Sequence, residues 1–326
     1  MDGYTPFFAA CPHARGDEPM VWRTGDGGEG TEDAEASPLC PKRQYNKRMN
    51  DMPSPSPLPP NGAPPQLTLH CVERGHGLPL LLIHGYPLDH TIWQPQLDGL
   101  ADTARLLAPD LPGFGQSADH PPLATIAQFA QACHHLLEAR HIPRPLAIGG
   151  VSMGGYIALA FYRQYAAEVA GLVLVATRAG PDSPEGKANR NKAIALAHEK
   201  GPAAIAESML PKMFAPQTYS SKPELVAYLK NVMQNAPLGG ITAALSAMRD
   251  RPDSTPWLAE IRPPTLILHG EQDALIPLSE ATAMQQAIPR ARLEIIPDAG
   301  HMPHLEQADR VNTLLRSFLT QIQDTP

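Results

Sequence analysis

From Gln66 onward, short runs of Leu, Ile and Val alternate with amphipathic stretches of about 10–15 residues. This rhythm constrains the fold more than any other feature of the chain. Candidate strands are Thr68–Glu73, Leu78–His84, Ala104–Ala108, Leu146–Val151, Gly171–Ala176, Thr265–His269 and Arg292–Ile296. Several are continuously apolar, as strands are when helices cover both faces of a parallel sheet. Candidate helices are Asp89–Ala101, Ile126–Ala139, Met153–Tyr165, Leu278–Ile288 and Gln307–Ile322. Strands alternating with helices predict βαβ units in one doubly wound, mostly parallel sheet of the α/β class. One interval breaks the rhythm. Between Thr177 and Pro264, roughly 85 residues offer no strand but four helical segments, Ser183–Lys200, Pro202–Met209, Pro223–Asn235 and Gly239–Arg249. A helical insertion there would leave a strand at its carboxyl end, where ligands bind in open α/β sheets, and is expected to form a lid.

The chain before Gln66 has a different texture. Residues 1–66 hold 12 of the 37 prolines and no apolar periodicity, and Pro53–Pro65 is a breaker run that favours extended, solvated backbone. Too few apolar groups are present to offset the entropy of ordering it. The expected organisation is a disordered extension over 1–66, a core over 67–177 and 264–326, and a lid over 178–263. Met49 and Met52 leave a later start of the chain open as an alternative. With 26 Lys+Arg against 33 Asp+Glu, the net charge of −7 argues against nucleic-acid binding. Cys11, Cys40, Cys71 and Cys133 are too far apart in sequence for a zinc motif and too few for a disulfide framework. The longest apolar stretch, Met153–Tyr162, is too short to span a bilayer, and no secretory signal is visible. The expectation is a cytoplasmic protein with no membrane span.

The strongest chemical signal is Gly150-Val151-Ser152-Met153-Gly154, which follows a candidate strand and precedes a candidate helix. This is the G-x-S-x-G pattern in the strand–turn–helix setting that a nucleophilic serine requires. Turning within so few residues strains the serine backbone, presents Oγ outward, and brings the flanking positions too close for side chains. A serine nucleophile needs a base, and the base an orienting acid. Asp273 follows the strand Thr265–His269, and His301 follows the last strand, in the chain order Ser, Asp, His that suits this arrangement. Glu271 and Asp298 are rival carboxylates.

Residues from about 66 to 326 resemble the α/β-hydrolase superfamily. The likeness rests on the serine motif, His84-Gly85-Tyr86-Pro87, Asp110-Leu-Pro-Gly113-Phe-Gly115-Gln-Ser117, Gly270-Glu-Gln-Asp273 and Gly300-His301. It implies Ser152 as nucleophile, His301 as general base and then acid, and Asp273 as its orienter. It further implies an oxyanion hole formed by the backbone N–H groups of Met153 and Tyr86. A helix-opening N–H at Met153 is unpaired within its helix and lies at the positive dipole end. One such donor is worth ~3–4 kcal/mol of barrier in a comparable site. Gly85, Gly150 and Gly154 give the backbone close approach, and His84 is expected to support its loop.

The elbow carries Ser152, not the aspartate of dehalogenases and epoxide hydrolases, and Gly85 is followed by Tyr86, not by the further glycines of hormone-sensitive-lipase-like esterases. What remains is similar to bacterial family V carboxylesterases, 3-oxoadipate enol-lactonases and cofactor-free perhydrolases. A serine carboxylesterase that hydrolyses small to medium-chain carboxylic esters, as small-molecule substrates, through an acyl-enzyme intermediate is the first expectation. A lactonase of the enol-lactonase type and a non-catalytic ligand-binding relative are the alternatives. No metal or cofactor is expected: the chain has no P-loop motif and no H-E-x-x-H helix, and His134 and His135 are adjacent, so they do not share a helical face. In the lid, Met209, Leu210, Met213, Phe214, Leu225, Leu229, Met233 and Met248 could line the acyl pocket or form the lid's own core. Arg178, Arg190, Lys192, Arg249 and Arg251 are candidates to meet an anionic substrate.

Overall fold

The computed structural model describes residues 68–324. The extension expected over 1–66 lies outside the described residues, as do Cys11 and Cys40. Seven strands form one sheet in the order β1-β3-β2-β4-β5-β6-β7. They are β1 (Cys71–Arg74), β2 (Pro79–Ile83), β3 (Arg105–Pro109), β4 (Leu146–Val151), β5 (Val169–Val175), β6 (Thr265–Gly270) and β7 (Ala291–Ile296). Only the β1–β3 pair is antiparallel, and all other neighbours run parallel. β2, β4 and β6 are buried along their whole length, which their uninterrupted apolar sequences require. The edge strand β7 is partly exposed and carries charged Arg292 and Glu294.

The helices are α1 (Gln94–Gly99), α2 (Ile126–Ala139), α3 (Met153–Tyr165), α4 (Pro184–Met209), α5 (Thr218–Ser221), α6 (Pro223–Gln234), α7 (Leu238–Arg249), α8 (Leu278–Ala287), α9 (Pro303–Glu306) and α10 (Ala308–Gln323). The Thr125 hydroxyl accepts from the Gln128 N–H while the Gln128 side chain accepts from the Thr125 N–H, a reciprocal cap that starts α2. One expected helix, Asp89–Ala101, is broken in two: a 3₁₀ turn over His90–Trp93 leads into α1, where Pro95 sits in the first turn and supplies no backbone donor. The last expected helix, Gln307–Ile322, forms as α10, and Gln307, with φ −129° and ψ 53°, separates it from the short α9 that precedes it. The two helices expected over Ser183–Lys200 and Pro202–Met209 are both present within α4 and meet at Gly201, whose φ of 77° and ψ of −179° are not helical, with Pro202 following it.

Four helices, α4 to α7, lie between β5 and β6, an interval without a strand. They share apolar clusters with the sheet: Ile205, Leu245 and Met248 pack with the α3 side, and Met213, Phe214, Leu229 and Met233 pack with Val175 and Leu268. Among the described residues no helix is long and apolar enough to cross a membrane.

Candidate active site

Ser152 joins β4 to α3 with φ 54° and ψ −113°, a conformation unfavourable for a side-chain-bearing residue. Hydrogen bonds to its backbone hold it there. Its N–H donates to the Val175 carbonyl (2.9 Å), and its carbonyl accepts from the Thr177 hydroxyl (2.8 Å) and the Gly155 N–H (3.0 Å). A Cβ on Gly150 would lie 2.2 Å from the Gly154 carbonyl, the mutual crowding that the spacing predicts. The second glycine differs from that expectation. A Cβ on Gly154 would meet the Ile83 carbonyl oxygen at 2.2 Å, so the end of β2, not Gly150, forbids a side chain there.

The Tyr86 and Met153 N–H groups, expected as oxyanion donors, have no protein acceptor among the described residues. His84 is wholly buried and braces the Tyr86 loop. Its Nε2 accepts from the Leu111 N–H (3.0 Å), which leaves Nδ1 to donate to the Gly85 carbonyl (2.9 Å). Burial pushes its pKa down, in keeping with this neutral tautomer. The ring therefore ties the β2 and β3 ends together as a support. Asp110 does similar work, accepting from the His90 N–H, His90 Nδ1 and the Gln116 N–H at 2.7–2.8 Å. His70, His90 and Asp110 are close enough to share a metal ion, but those hydrogen bonds already engage both Asp110 oxygens.

Of the three carboxylates weighed in the sequence, Asp273 is the one paired with His301. Its Oδ2 lies 2.8 Å from His301 Nδ1, and its Oδ1 accepts from the Leu275 (2.8 Å) and Ile276 (3.0 Å) N–H groups. Burial opposes ionisation of Asp273, but His301 and these donors outweigh it and hold the pKa below the usual carboxylate range. Glu271 and Asp298 are exposed. His269, near the end of β6, donates through Nε2 to the Ile276 carbonyl (3.0 Å) and so helps shape the turn carrying Asp273.

Ser152 and His301 line one cavity of about 260 Å³. Tyr86 closes it on the sheet side, while Ile205, Met209, Leu245 and Met248 form its apolar wall. Of the eight apolar lid residues weighed in the sequence, only Met209 and Met248 reach it. Met213, Phe214, Leu229 and Met233 are buried in the core instead. Arg178, Asp182 and Arg190 also line the cavity. The Asp182 carboxylate is buried and receives Arg178 Nη2 (2.6 Å), Arg251 Nη1 (2.7 Å) and Arg190 Nε (3.0 Å). Burial opposes its ionisation, and the Arg190 and Arg251 guanidinium groups outweigh that penalty and keep its pKa below the usual carboxylate range. Arg251 is a buried strut, bonded also to the Met248 and Gly180 carbonyls and stacked 4.2 Å over the Tyr156 ring. Arg249 pairs with Asp250 and Asn191 outside the cavity, and Lys192 is exposed.

Sequence reasoning missed Glu306. Its carboxylate is buried, with Oε1 accepting from the Gly300 N–H and Oε2 from the Ala215 N–H and the Thr218 hydroxyl, all at 2.7 Å. It therefore joins the loop carrying His301 to the helical insertion. Burial is the largest influence on this carboxyl and raises its pKa despite those donors. His304 was missed as well: it is wholly buried against Trp93 (ring centroids 4.4 Å apart). Burial, reinforced by nearby His301, pushes its pKa down to about 3. Neither residue belongs to a motif, so only its placement in three dimensions reveals it. Cys71 and Cys133 are buried free thiols whose pKa burial pushes up to about 12, which leaves them poor nucleophiles.

Residues 79–308 match the family model described as the alpha/beta hydrolase fold. An AB hydrolase superfamily protein, YisY, of Bacillus subtilis is 31% identical over 265 residues, covering 77% of this chain and 95% of that protein. Among solved structures, a thermophilic esterase from Thermogutta terrifontis, determined with malate bound, is 41% identical with a TM-score of 0.76. That match covers 78% of this chain and 93% of the esterase. The enol-lactonase from Burkholderia xenovorans LB400 is 26% identical with a TM-score of 0.72, covering 77% of this chain and 96% of the lactonase. With its parallel sheet, its strained serine at the end of β4 and this family match, the chain belongs to the alpha/beta hydrolase fold family.

Proposed function

We propose that this protein is a serine carboxylesterase that hydrolyses small carboxylic esters through an acyl-enzyme intermediate. The observation that carries this reading is the strained Ser152 in the same cavity as His301, whose far nitrogen is fixed by buried Asp273. In the proposed cycle, Ser152 Oγ attacks the ester carbonyl carbon as His301 Nε2 takes its proton. The C–O bond to the alcohol then breaks, and His301 returns the proton to the departing alkoxide. Water, deprotonated by His301, releases the acid and restores Ser152. Asp273 keeps the Nδ1–H tautomer and stabilises the imidazolium. The Met153 and Tyr86 N–H groups receive the charge that develops on the carbonyl oxygen. In this reading the helices over 178–263 act as a lid that sets acyl size, and a cavity of about 260 Å³ suits short acyl groups better than long chains. The likeness to an esterase at 41% identity supports ester hydrolysis, and the enol-lactonase keeps a lactone as the second reading.

The test is initial rates on p-nitrophenyl acetate, butyrate, octanoate and palmitate, with wild type beside Ser152→Ala. The expected result is a rate that peaks on the short esters and falls at least about 10³-fold in Ser152→Ala. Activity surviving in Ser152→Ala at more than a few per cent of wild type would contradict the reading.

A further inference from the structure

Bond making and breaking in the proposed reaction employ Ser152, His301, Asp273 and two backbone N–H groups, but not the guanidinium groups that share their cavity. Arg178 and Arg190 both line it, and both are anchored on Asp182, which is also held by Arg251. One carboxylate thus faces three guanidinium groups. The charge of Glu280 also bears on Arg178, but Glu280 neither pairs with it nor lines the cavity. The local balance is positive although the chain as a whole carries −7.

These groups also have donors to spare. Arg190 gives Asp182 only its Nε, and its two terminal NH₂ groups have no protein acceptor among the described residues. Arg178 uses Nη2 alone, and its buried Nε has no partner. An independent observation points the same way. The Tyr86 hydroxyl, on a residue 5% exposed, is buried without a hydrogen-bond partner, lines the same cavity and feels the charge of Arg190. A planar fork of N–H donors beside an unsatisfied hydroxyl matches the two oxygens of a carboxylate.

We propose that Arg178 and Arg190, with the Tyr86 hydroxyl, bind a carboxylate carried by the substrate, so that the preferred substrates are half-esters of short dicarboxylic acids. This deepens the serine-hydrolase reading and rests on it for the reaction, though not for the binding. Asp182 pre-aligns the two guanidinium groups, so little side-chain ordering is left for the ligand to impose. The apolar wall of Ile205, Leu245 and Met248 would cover the methylenes between carboxylate and ester.

The experiment is calorimetry on Ser152→Ala, which holds esters without turning them over, with monomethyl glutarate and its neutral isostere methyl pentanoate. Monomethyl glutarate is expected to bind about tenfold or more tightly than methyl pentanoate, and the preference is expected to shrink with added salt. Adding Arg190→Gln or Arg178→Gln should each remove most of the preference. Arg190→Lys, which keeps the charge, should retain part of it, as a misfolded protein would not. Arg249→Gln, on the surface beside Asp250, should leave it unchanged. Equal affinity for the two esters, or a preference that survives both Arg→Gln changes, overturns the proposal. Because binding is read without turnover, a carboxylate preference alongside an inactive wild type would overturn the serine reading alone.

Discussion

The two walls of the cavity are held by different physics. On the sheet side, Ser152, Asp273 and the Tyr86 loop are positioned by backbone hydrogen bonds, by glycines that admit close packing and by neutral His84. On the helical side, positioning comes from side-chain charge, chiefly the Asp182 carboxylate among three arginines. Backbone bonds at strand ends recur wherever the sheet recurs, so the reacting groups inherit a fixed frame. A charge cluster in the insertion, with Arg190 on α4 and Arg178, Asp182 and Arg251 on the segments flanking its helices, lies outside that frame, which suits it to the specificity role proposed above. The difference separates what the chemistry needs from what the substrate decides.

Glu306 is where the two walls meet, and removing it should have the largest effect on their independence. Glu306→Ala leaves the Gly300 and Ala215 N–H groups and the Thr218 hydroxyl without their acceptor, at an expected cost of about 3 kcal/mol in stability. The same change frees the loop beside His301, so kcat/KM should fall by about tenfold as well. Urea unfolding and short-ester kinetics on one preparation would check both. Unchanged stability would mean that the walls are joined elsewhere.

A smaller effect should come from His304, on the sheet side. Its folded pKa of about 3 lies far below the unfolded value, so folding excludes a proton that the unfolded chain takes up below about pH 6.5. Stability is therefore complete above that pH and is lost as pH falls towards 3. Between pH 7 and pH 5 this one residue should remove about 2 kcal/mol. Urea midpoints for wild type and His304→Leu at the two pH values give the measurement. The expected outcome is a shallower acid loss in the variant, and equal slopes would contradict it.

The difference between the walls also explains what could be read in the sequence. The buried strands β2, β4 and β6 were legible because buried parallel strands are continuously apolar, and Ser152, Asp273 and His301 because each follows a strand of the sheet. The helix break between Trp93 and Gln94 was not, since amphipathic periodicity runs through a break that leaves the apolar face in place. The role of Gly154 was read correctly in kind but assigned to the wrong neighbour, because local spacing cannot show that the end of β2 passes beside it. In the insertion, periodicity marks apolar faces but not what they meet. Met209 and Met248 line the cavity while Met213 and Met233 are buried in the core. Likewise, Arg190 and Arg249 are equally charged in the sequence, and only their partners, Asp182 and Asp250, separate a cavity residue from a surface one.

If Ser152 is a nucleophile activated by the His301–Asp273 pair, a fluorophosphonate should label it. Labelling read by peptide mass spectrometry on wild type, His301→Ala and Asp273→Asn is the decisive measurement. One covalent adduct is expected, on Ser152, formed at least about 10²-fold more slowly in either variant. An unlabelled Ser152 in folded wild type, or equal labelling rates in all three proteins, would contradict it.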